Sequence, residues 1–234
     1  MEAAGQESVL VLDKDRALGD VVPAEARERA CRASVAGVLS RRAGAWDGRR
    51  DSEVARGGFG LLVIDGVLVR RVGVGGRFGA ELLADGDLLR PWQHDGAAEV
   101  VPFEMAWRIV APVRLAVLDA RWAARMAPFP DVATELTGRA LERSRRLATL
   151  MAISQQPRLD RRVWLLFWEL AGRHGTVHRD GVHLRLRLTH EVIGHLVAAR
   201  RPSVSAALTR LAKRGVLRRE GGEWLLSGPP PEAA

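Results

Sequence analysis

Cysteine, lysine, asparagine and tyrosine are almost or wholly missing from this chain of 234 residues. The single cysteine, Cys31, has no partner for an internal disulfide. Alone it cannot assemble a zinc or iron–sulfur site, so a reducing, cytoplasmic setting is expected. No apolar run approaches the roughly 18–20 residues that a bilayer crossing needs, and no membrane partner is expected. The opening Met1-Glu2-Ala3-Ala4 lacks the basic and apolar regions of a secretory signal. Histidine is sparse too: His94, His174, His178, His183, His190 and His195 form no HExxH or other metal-ligand spacing. The glycines at 73–79 lack the lysine of a phosphate loop, and acidic pairs such as Asp85 and Asp87 fall in a turn, where carboxylates are routine. These gaps leave no catalytic constellation, and the expectation is a protein that is not an enzyme and carries neither metal nor cofactor.

What is present is a folded composition, 47% hydrophobic and 27% charged, outside the range of wholesale disorder. The net charge of +8 comes from 36 basic and 28 acidic residues. Only Lys14 and Lys213 are lysine, so a general arginine bias weakens any argument from arginine number alone. Distribution says more. Residues 1–155 carry 22 basic and 21 acidic side chains, whereas residues 156–234 carry 14 and 7. A basic segment beside a neutral one points to a polyanion-binding module joined to something else.

The segment from Pro23 to about Arg42 reads as a helix, with proline in its first turn. From Gly57 short apolar stretches alternate with glycine. Residues 60–64 and 67–69 read as two strands joined by a tight Asp65-Gly66 turn, and 100–110 and 113–118 supply further strands. Many short strands with frequent turns imply an antiparallel sandwich or barrel over 57–118. Asp119 begins a helical region broken by Pro128 and Pro130, and Asp131 opens a long helix to about Ser154. Ala133, Leu136, Ala140, Arg143, Leu147, Leu150 and Ser154 recur at coiled-coil spacing. That seam fits equally a dimer contact or packing on the chain's own β-domain. Gln155-Gln156-Pro157 is a linker, and Trp164, Phe167 and Trp168 in the apolar helix that follows are core aromatics. The alternating run 182–188 reads as a half-buried strand, its His183, Arg185 and Arg187 face solvated.

Residues 189–214 carry the strongest signal. Thr189 suits an N-cap, and Val192, Ile193, Leu196 and Val197 form the apolar face of a helix ending near Ala199. Pro202 restarts a second helix lined by Val204, Leu208 and Leu211, which Gly215 ends in left-handed geometry. Its outward face offers Arg200, Arg201, Ser203, Ser205, Thr209 and Lys213, and no carboxylate lies between Glu191 and Glu220. Ala206 and Ala207 are small enough for close approach to a groove. Residues 216–226 form two strands around a Glu-Gly-Gly-Glu turn, a wing that would join strand 182–188 in a small sheet beneath the helices. Two short helices with a basic second member and a wing make a winged helix-turn-helix. The expected DNA-binding residues are Thr189, Arg200, Arg201, Ser203, Ser205, Thr209 and Lys213.

The order of β-domain, long helix and winged helix, with Leu188-Thr189-His190-Glu191, Ile193-Gly194-His195-Leu196-Val197, Arg200-Arg201-Pro202-Ser203-Val204-Ser205, Leu208-Thr209-Arg210-Leu211 and Gly215-Val216-Leu217, resembles the Crp/Fnr family of bacterial transcription regulators. The resemblance is specific over 188–217 and weak before residue 57. It implies an α+β fold: an N-terminal antiparallel jelly roll of cyclic-nucleotide-binding type (1–130), a long dimerisation helix (131–154), a winged helix-turn-helix (158–228) and a disordered tail (229–234). It further implies a homodimer on a palindromic operator in double-stranded DNA, with RNA polymerase as an admissible further partner. Arg201 matches the family's arginine at the start of the recognition helix, while Pro202 and Ala206 depart from the residues common there, so a different operator is expected.

The family's nucleotide cassette is altered. Gly86-Asp87 keeps its turn, but Arg90-Pro91 stands where Gly-Glu belongs, and no arginine occurs from Gly96 to Trp107. A buried phosphate without a cation is costly, so the usual cyclic-AMP cassette is not expected to operate and the small-molecule effector is left unknown. Arg90 and Trp92 are the candidates for effector binding. The alternatives are a cyclic-nucleotide-responsive regulator with an altered pocket, and a cupin-like metal enzyme fused to a DNA-binding tail.

Overall fold

The computed structural model describes residues 7–48, 51, 53–55, 57–91 and 101–230. Two compact units emerge, one gathering residues 1–70, 82–102 and 106–145, the other 71–81, 103–105 and 146–234. The architecture is α+β, as the sequence reading anticipates.

The N-terminal half begins with β1 (Ser8–Leu10), the short helices α1 (Val11–Lys14) and α2 (Arg16–Asp20), and α3 (Ala24–Ala33). Strands β2 (Val35–Arg41), β3 (Gly44–Trp46), β4 (Gly60–Val74), β5 (Arg77–Leu83), β6 (Leu88–Leu89) and β7 (Glu104–Leu118) follow. They form one sheet in the order β1-β2-β7-β4-β5, with β3 also on β7 and β6 on β4. Antiparallel registers include Val38 opposite Ala116 and Leu61 opposite Leu89.

Three local expectations are corrected. The helix read over 23–42 stops at Ala33, and 35–41 pair as β2, because alternate residues Ala36 and Val38 are needed in the core. Asp65-Gly66 does not turn the chain: β4 runs through it unbroken for 15 residues. Gly66 instead uses its positive φ of 99° where β4 and β7 approach closely, and a Cβ there would lie 2.1 Å from the Pro112 carbonyl oxygen. The two strands read over 100–118 are likewise one, β7, which passes through Pro112 despite its missing donor.

The core of this half joins Leu12, Leu18, Val38, Leu62, Leu118 and Leu136 to Trp122, which is 0% exposed. Trp122 lies in α4 (Ala120–Met126), whose N-cap Asp119 accepts a bond from the Trp122 amide at 2.7 Å. The indole Nε1 donates to the carbonyl of buried Ser34 at 3.0 Å, and the Ser34 hydroxyl accepts from the Leu12 amide and donates to the Cys31 carbonyl. Both polar side chains brought into this apolar region thus have partners, which is what permits their burial.

The long helix α5 (Pro130–Ser154) starts on proline with Asp131 in its first turn. Arg139 forks onto Asp15, bonds Glu135 and reaches the Gly86 carbonyl; Asp15 first, then Glu135, hold its guanidinium more firmly protonated than usual. Arg143 donates to the Leu88 carbonyl at 3.0 Å. The stripe containing Leu136 and Arg143 therefore faces the chain's own β-domain in part. The large apolar groups left exposed on α5 are instead Leu141, at 65%, and Met151, at 69%.

The C-terminal half is built on α6 (Leu159–His174), whose Val163, Leu166, Phe167, Leu170 and Ala171 are buried at helical spacing. Phe167 meets Trp224 with ring centroids 4.8 Å apart, confirming it as a core aromatic. Trp164 and Trp168, only half-buried, form an edge-on pair at 5.6 Å. Strands β8 (Gly175–His178), β9 (Gly181–Leu184), β10 (Leu217–Glu220) and β11 (Glu223–Leu226) make a sheet in the order β10-β11-β9-β8. The strand read over 182–188 is shorter than its alternation suggests, ending at Leu184, and β8 joins it on the other side of the Arg179-Asp180 turn. The last residues, 231–234, lie outside the described residues, as does Trp92.

Candidate nucleic-acid interface

Thr189 caps helix α7 (His190–Leu196), its hydroxyl accepting the Val192 amide at 3.2 Å. The helix ends three residues before Ala199, earlier than the sequence reading places it. Ala198 takes the left-handed conformation, φ 51°, and the Ala199 amide closes onto the Gly194 carbonyl at 2.8 Å. A Cβ at Gly194 would meet the Ala199 oxygen at 2.6 Å, so glycine is what admits this tight turn. Arg162 on α6 fixes the same turn by donating to the Val197 carbonyl at 3.4 Å, a support to which no sequence signal points.

Helix α8 (Arg201–Lys213) follows with Arg200 as N-cap and Pro202 in the first turn. Val204, Ala207, Leu208 and Leu211 are buried at i, i+3, i+4 and i+7. Each large member contributes roughly 1.5–3 kcal/mol by leaving water. Ala207 therefore belongs to the core, and only Ala206 is left on the outer face. Gly215, with φ 71°, ends the helix: its amide bonds the Ala212 carbonyl at 2.9 Å and the Val216 amide bonds Leu211 at 3.2 Å. That pairing is the Schellman arrangement, and it delivers the chain into β10. Gly221 and Gly222, both at positive φ, turn β10 into β11 with Glu220 opposite Glu223.

The outward face is where the expected DNA contacts lie. Arg200, Arg201, Ser203, Thr209 and Lys213 are exposed, and Ser205 is half-buried. Among the described residues Arg200, Arg201 and Lys213 make no ion pair or side-chain hydrogen bond, so their charges point into water. The hydroxyls differ. Thr209 donates to the Ser205 carbonyl at 3.0 Å and Ser205 to the Arg201 carbonyl at 3.1 Å, so both spend their protons on the helix itself. Ser205 also meets His190 Nδ1 at 2.7 Å, tying α7 to α8. Arg210 is clamped from α6: its Nε and Nη2 reach the Asp160 carboxylate at 2.9 and 2.6 Å. The Arg210 bond, chiefly, holds the Asp160 carboxyl below the usual carboxylate range. In the wing sheet Glu223 receives Arg185 at 2.9 Å and faces His183, which also contacts Asp180 at 3.1 Å, while Arg185 and Arg187 stay exposed, so this face is solvated with two of its three groups paired at the surface.

Residues 161–227 match the Crp-like helix-turn-helix domain. The C-terminal part of the chain is thus a helix-turn-helix of Crp-like type. The Crp-like domain begins two residues into α6 and ends just past β11, so the match takes in the helix pair, its supporting helix and the wing. The whole architecture recurs in solved structures of low identity. A cyclic nucleotide-binding domain containing protein from Listeria monocytogenes EGD-e is 14% identical, with 90% of this chain and 96% of that one covered at a TM-score of 0.64. FixK2 from Bradyrhizobium japonicum is 18% identical, with 82% and 92% covered at a TM-score of 0.57. A CRP/FNR-family regulator from Thermus thermophilus is 20% identical, with 82% and 93% covered at 0.51. No curated protein matches the sequence.

At the other candidate site, Gly86 turns with φ 81° and the buried Asp87 carboxylate accepts the Ala84 amide at 2.9 Å, so this acid is spent on the turn. Arg90 is exposed, with Nη2 3.4 Å from the Gly58 carbonyl. Trp92 falls outside the described residues. Among the described residues, no group of three or more His, Cys, Asp or Glu is placed to hold a metal ion. No described helix is long and apolar enough to cross a membrane.

Proposed function

We propose that this chain is a sequence-specific DNA-binding regulator that acts as a homodimer on an inverted-repeat operator. The observation that carries this reading is the outer face of α8, where Arg200, Arg201 and Lys213 stand exposed and unpaired among the described residues on a helix without a carboxylate. Bound in a major groove, Arg201 at the helix start reads a base or phosphate, and Arg200, Ser203 and Lys213 take phosphates, helped by the free amides of the first turn. Ser205 and Thr209, whose protons are engaged, set register as acceptors and by shape.

Dimerisation runs along α5 through the exposed Leu141 and Met151, which a monomer would leave in water. Two recognition helices about a twofold axis require half-sites about 34 Å, one helical turn, apart. The β-domain biases the dimer in response to a signal other than the usual cyclic-AMP cassette, and RNA polymerase is a further partner within the same reading. Selection of bound duplexes from a random pool tests all of this together. The expected result is a palindrome; recovery of no enriched sequence removes the reading.

A further inference from the structure

Asp160 stands in the first turn of α6, yet its carboxylate is spent on the recognition helix fifty residues further along the chain. Arg210 Nε lies 3.1 and 2.9 Å from the two carboxylate oxygens, and Nη2 lies 2.6 Å from the first of them, a forked pair. Two more arginines act on the same carboxylate through their charge: Arg214, the C-cap of α8, and Arg158, the N-cap of α6. Both are exposed. Arg210 itself belongs to the outer side of α8. It follows Ala206 by four residues and precedes Lys213 by three, both of them exposed, and its own side chain is 53% accessible. The sequence keeps acids off this stretch from Glu191 to Glu220, so the carboxylate that reaches α8 is supplied from another helix.

We propose that Asp160 is an autoinhibitory contact: its carboxylate occupies Arg210 in place of a DNA phosphate and holds down the affinity of α8 for any duplex. This rests on the DNA-binding reading above and deepens it. A carboxylate and a backbone phosphate each offer a pair of oxygens to a guanidinium, so the two compete for the same donors. Moving Arg210 from Asp160 to a phosphate releases a counterion from the DNA, but the abandoned carboxylate takes one up and repels the phosphate beside it. Net release is nil, so Arg210 adds nothing to the salt dependence while Asp160 is charged. The pair is exposed, where ion pairs are weak and exchange readily. Neutralising the acid therefore returns one cation to the DNA-facing surface. A purely structural tie between α6 and α8 demands the opposite sign, because its loss would loosen the recognition helix and weaken binding.

Fluorescence anisotropy of the full-length protein on a labelled mixed-sequence duplex of about 30 base pairs tests this without knowledge of the operator, since a phosphate contact carries no sequence information. Asp160→Asn should steepen the salt slope by about 0.9 per protomer and tighten binding near 0.1 M salt by about eightfold for each protomer engaged. Adding Arg210→Ala to it should restore the wild-type slope and affinity. Glu169→Gln is the control, removing the same charge nine residues further along α6. That is about 14 Å away, beyond the screening length of about 10 Å at this salt, and it should change the slope little. Circular dichroism checks that each variant is folded at the assay temperature. Unchanged or weaker binding by folded Asp160→Asn overturns the proposal while leaving the DNA-binding reading intact. So does an equal gain from Glu169→Gln, which would make the effect one of net charge, or a gain that survives Arg210→Ala. Absence of binding by the wild type and every variant, even in dilute salt, removes the DNA-binding reading as well.

Discussion

Three exposed cations without a partner among the described residues, on α8 and its N-cap, make a quantitative demand on the salt dependence of DNA binding. Each cation that neutralises a phosphate contributes about 0.9 to the slope of log affinity against log salt. Arg200, Arg201 and Lys213 together give about 2.7 per protomer, or about 5.4 for a dimer on one duplex. Raising salt from about 50 to 200 mM should then weaken the dimer's binding on the order of a thousandfold. Arg201→Ala should lower the dimer slope by about 1.8, and cost about 1–3 kcal/mol more on the selected operator if the arginine reads a base. Arg210 supplies the control. Its charge is already matched by Asp160 across two short bonds, so Arg210→Ala combined with Asp160→Asn should leave the slope unchanged. Anisotropy titrations across a salt series read all three slopes. A pair removal that flattens the slope as much as Arg201→Ala would refute the division into free and engaged cations. A flat wild-type response would refute phosphate contact altogether.

Other expectations concern stability and assembly. Ala198→Gly should stabilise the chain by about 1 kcal/mol in urea unfolding, because an alanine now occupies a left-handed position. Gly66→Ala, by contrast, would drive a Cβ to 2.1 Å from backbone and should prevent accumulation of folded protein, whereas Gly215→Ala meets open space and should cost only about 1 kcal/mol. Asp160 is held below the carboxylate range in the fold, so its contribution is present above that range and disappears as pH falls through the lowered value. Asp160→Asn should accordingly lower the urea midpoint at neutral pH and leave it unchanged in strong acid. Changing Leu141 and Met151 together to glutamate should convert the proposed dimer to monomer in sedimentation velocity; a persistent dimer would place the contact elsewhere.

The winged helix was legible because its determinants are local. The Thr189 cap, the i, i+3, i+4, i+7 apolar face of α8, Gly215 and the Gly221-Gly222 turn each act within a few residues, and each sits where the pattern puts it. The N-terminal half was less so. An Asp-Gly pair marks a hairpin in most contexts, but Gly66 serves a close crossing with Pro112, forty-six residues distant in the chain. Residues 35–41 look helical beside α3 until β7 is there to pair with them. The seam on α5 was visible as a period, yet the period alone could not say which side the β-domain would cover. Leu136 went into the core and Arg143 onto the Leu88 carbonyl, leaving Leu141 and Met151 outside.

The amino-acid order by itself determined the charge asymmetry, the helix pair, its wing and an acid-free recognition face, since backbone propensity, capping and side-chain chemistry are properties of neighbouring residues. Only the tertiary structure decided which of those polar groups are available. Asp160 claims Arg210 across fifty residues, and His190 meets the Ser205 hydroxyl across fifteen, because a hydrogen bond depends on where folded elements meet and not on their separation along the chain.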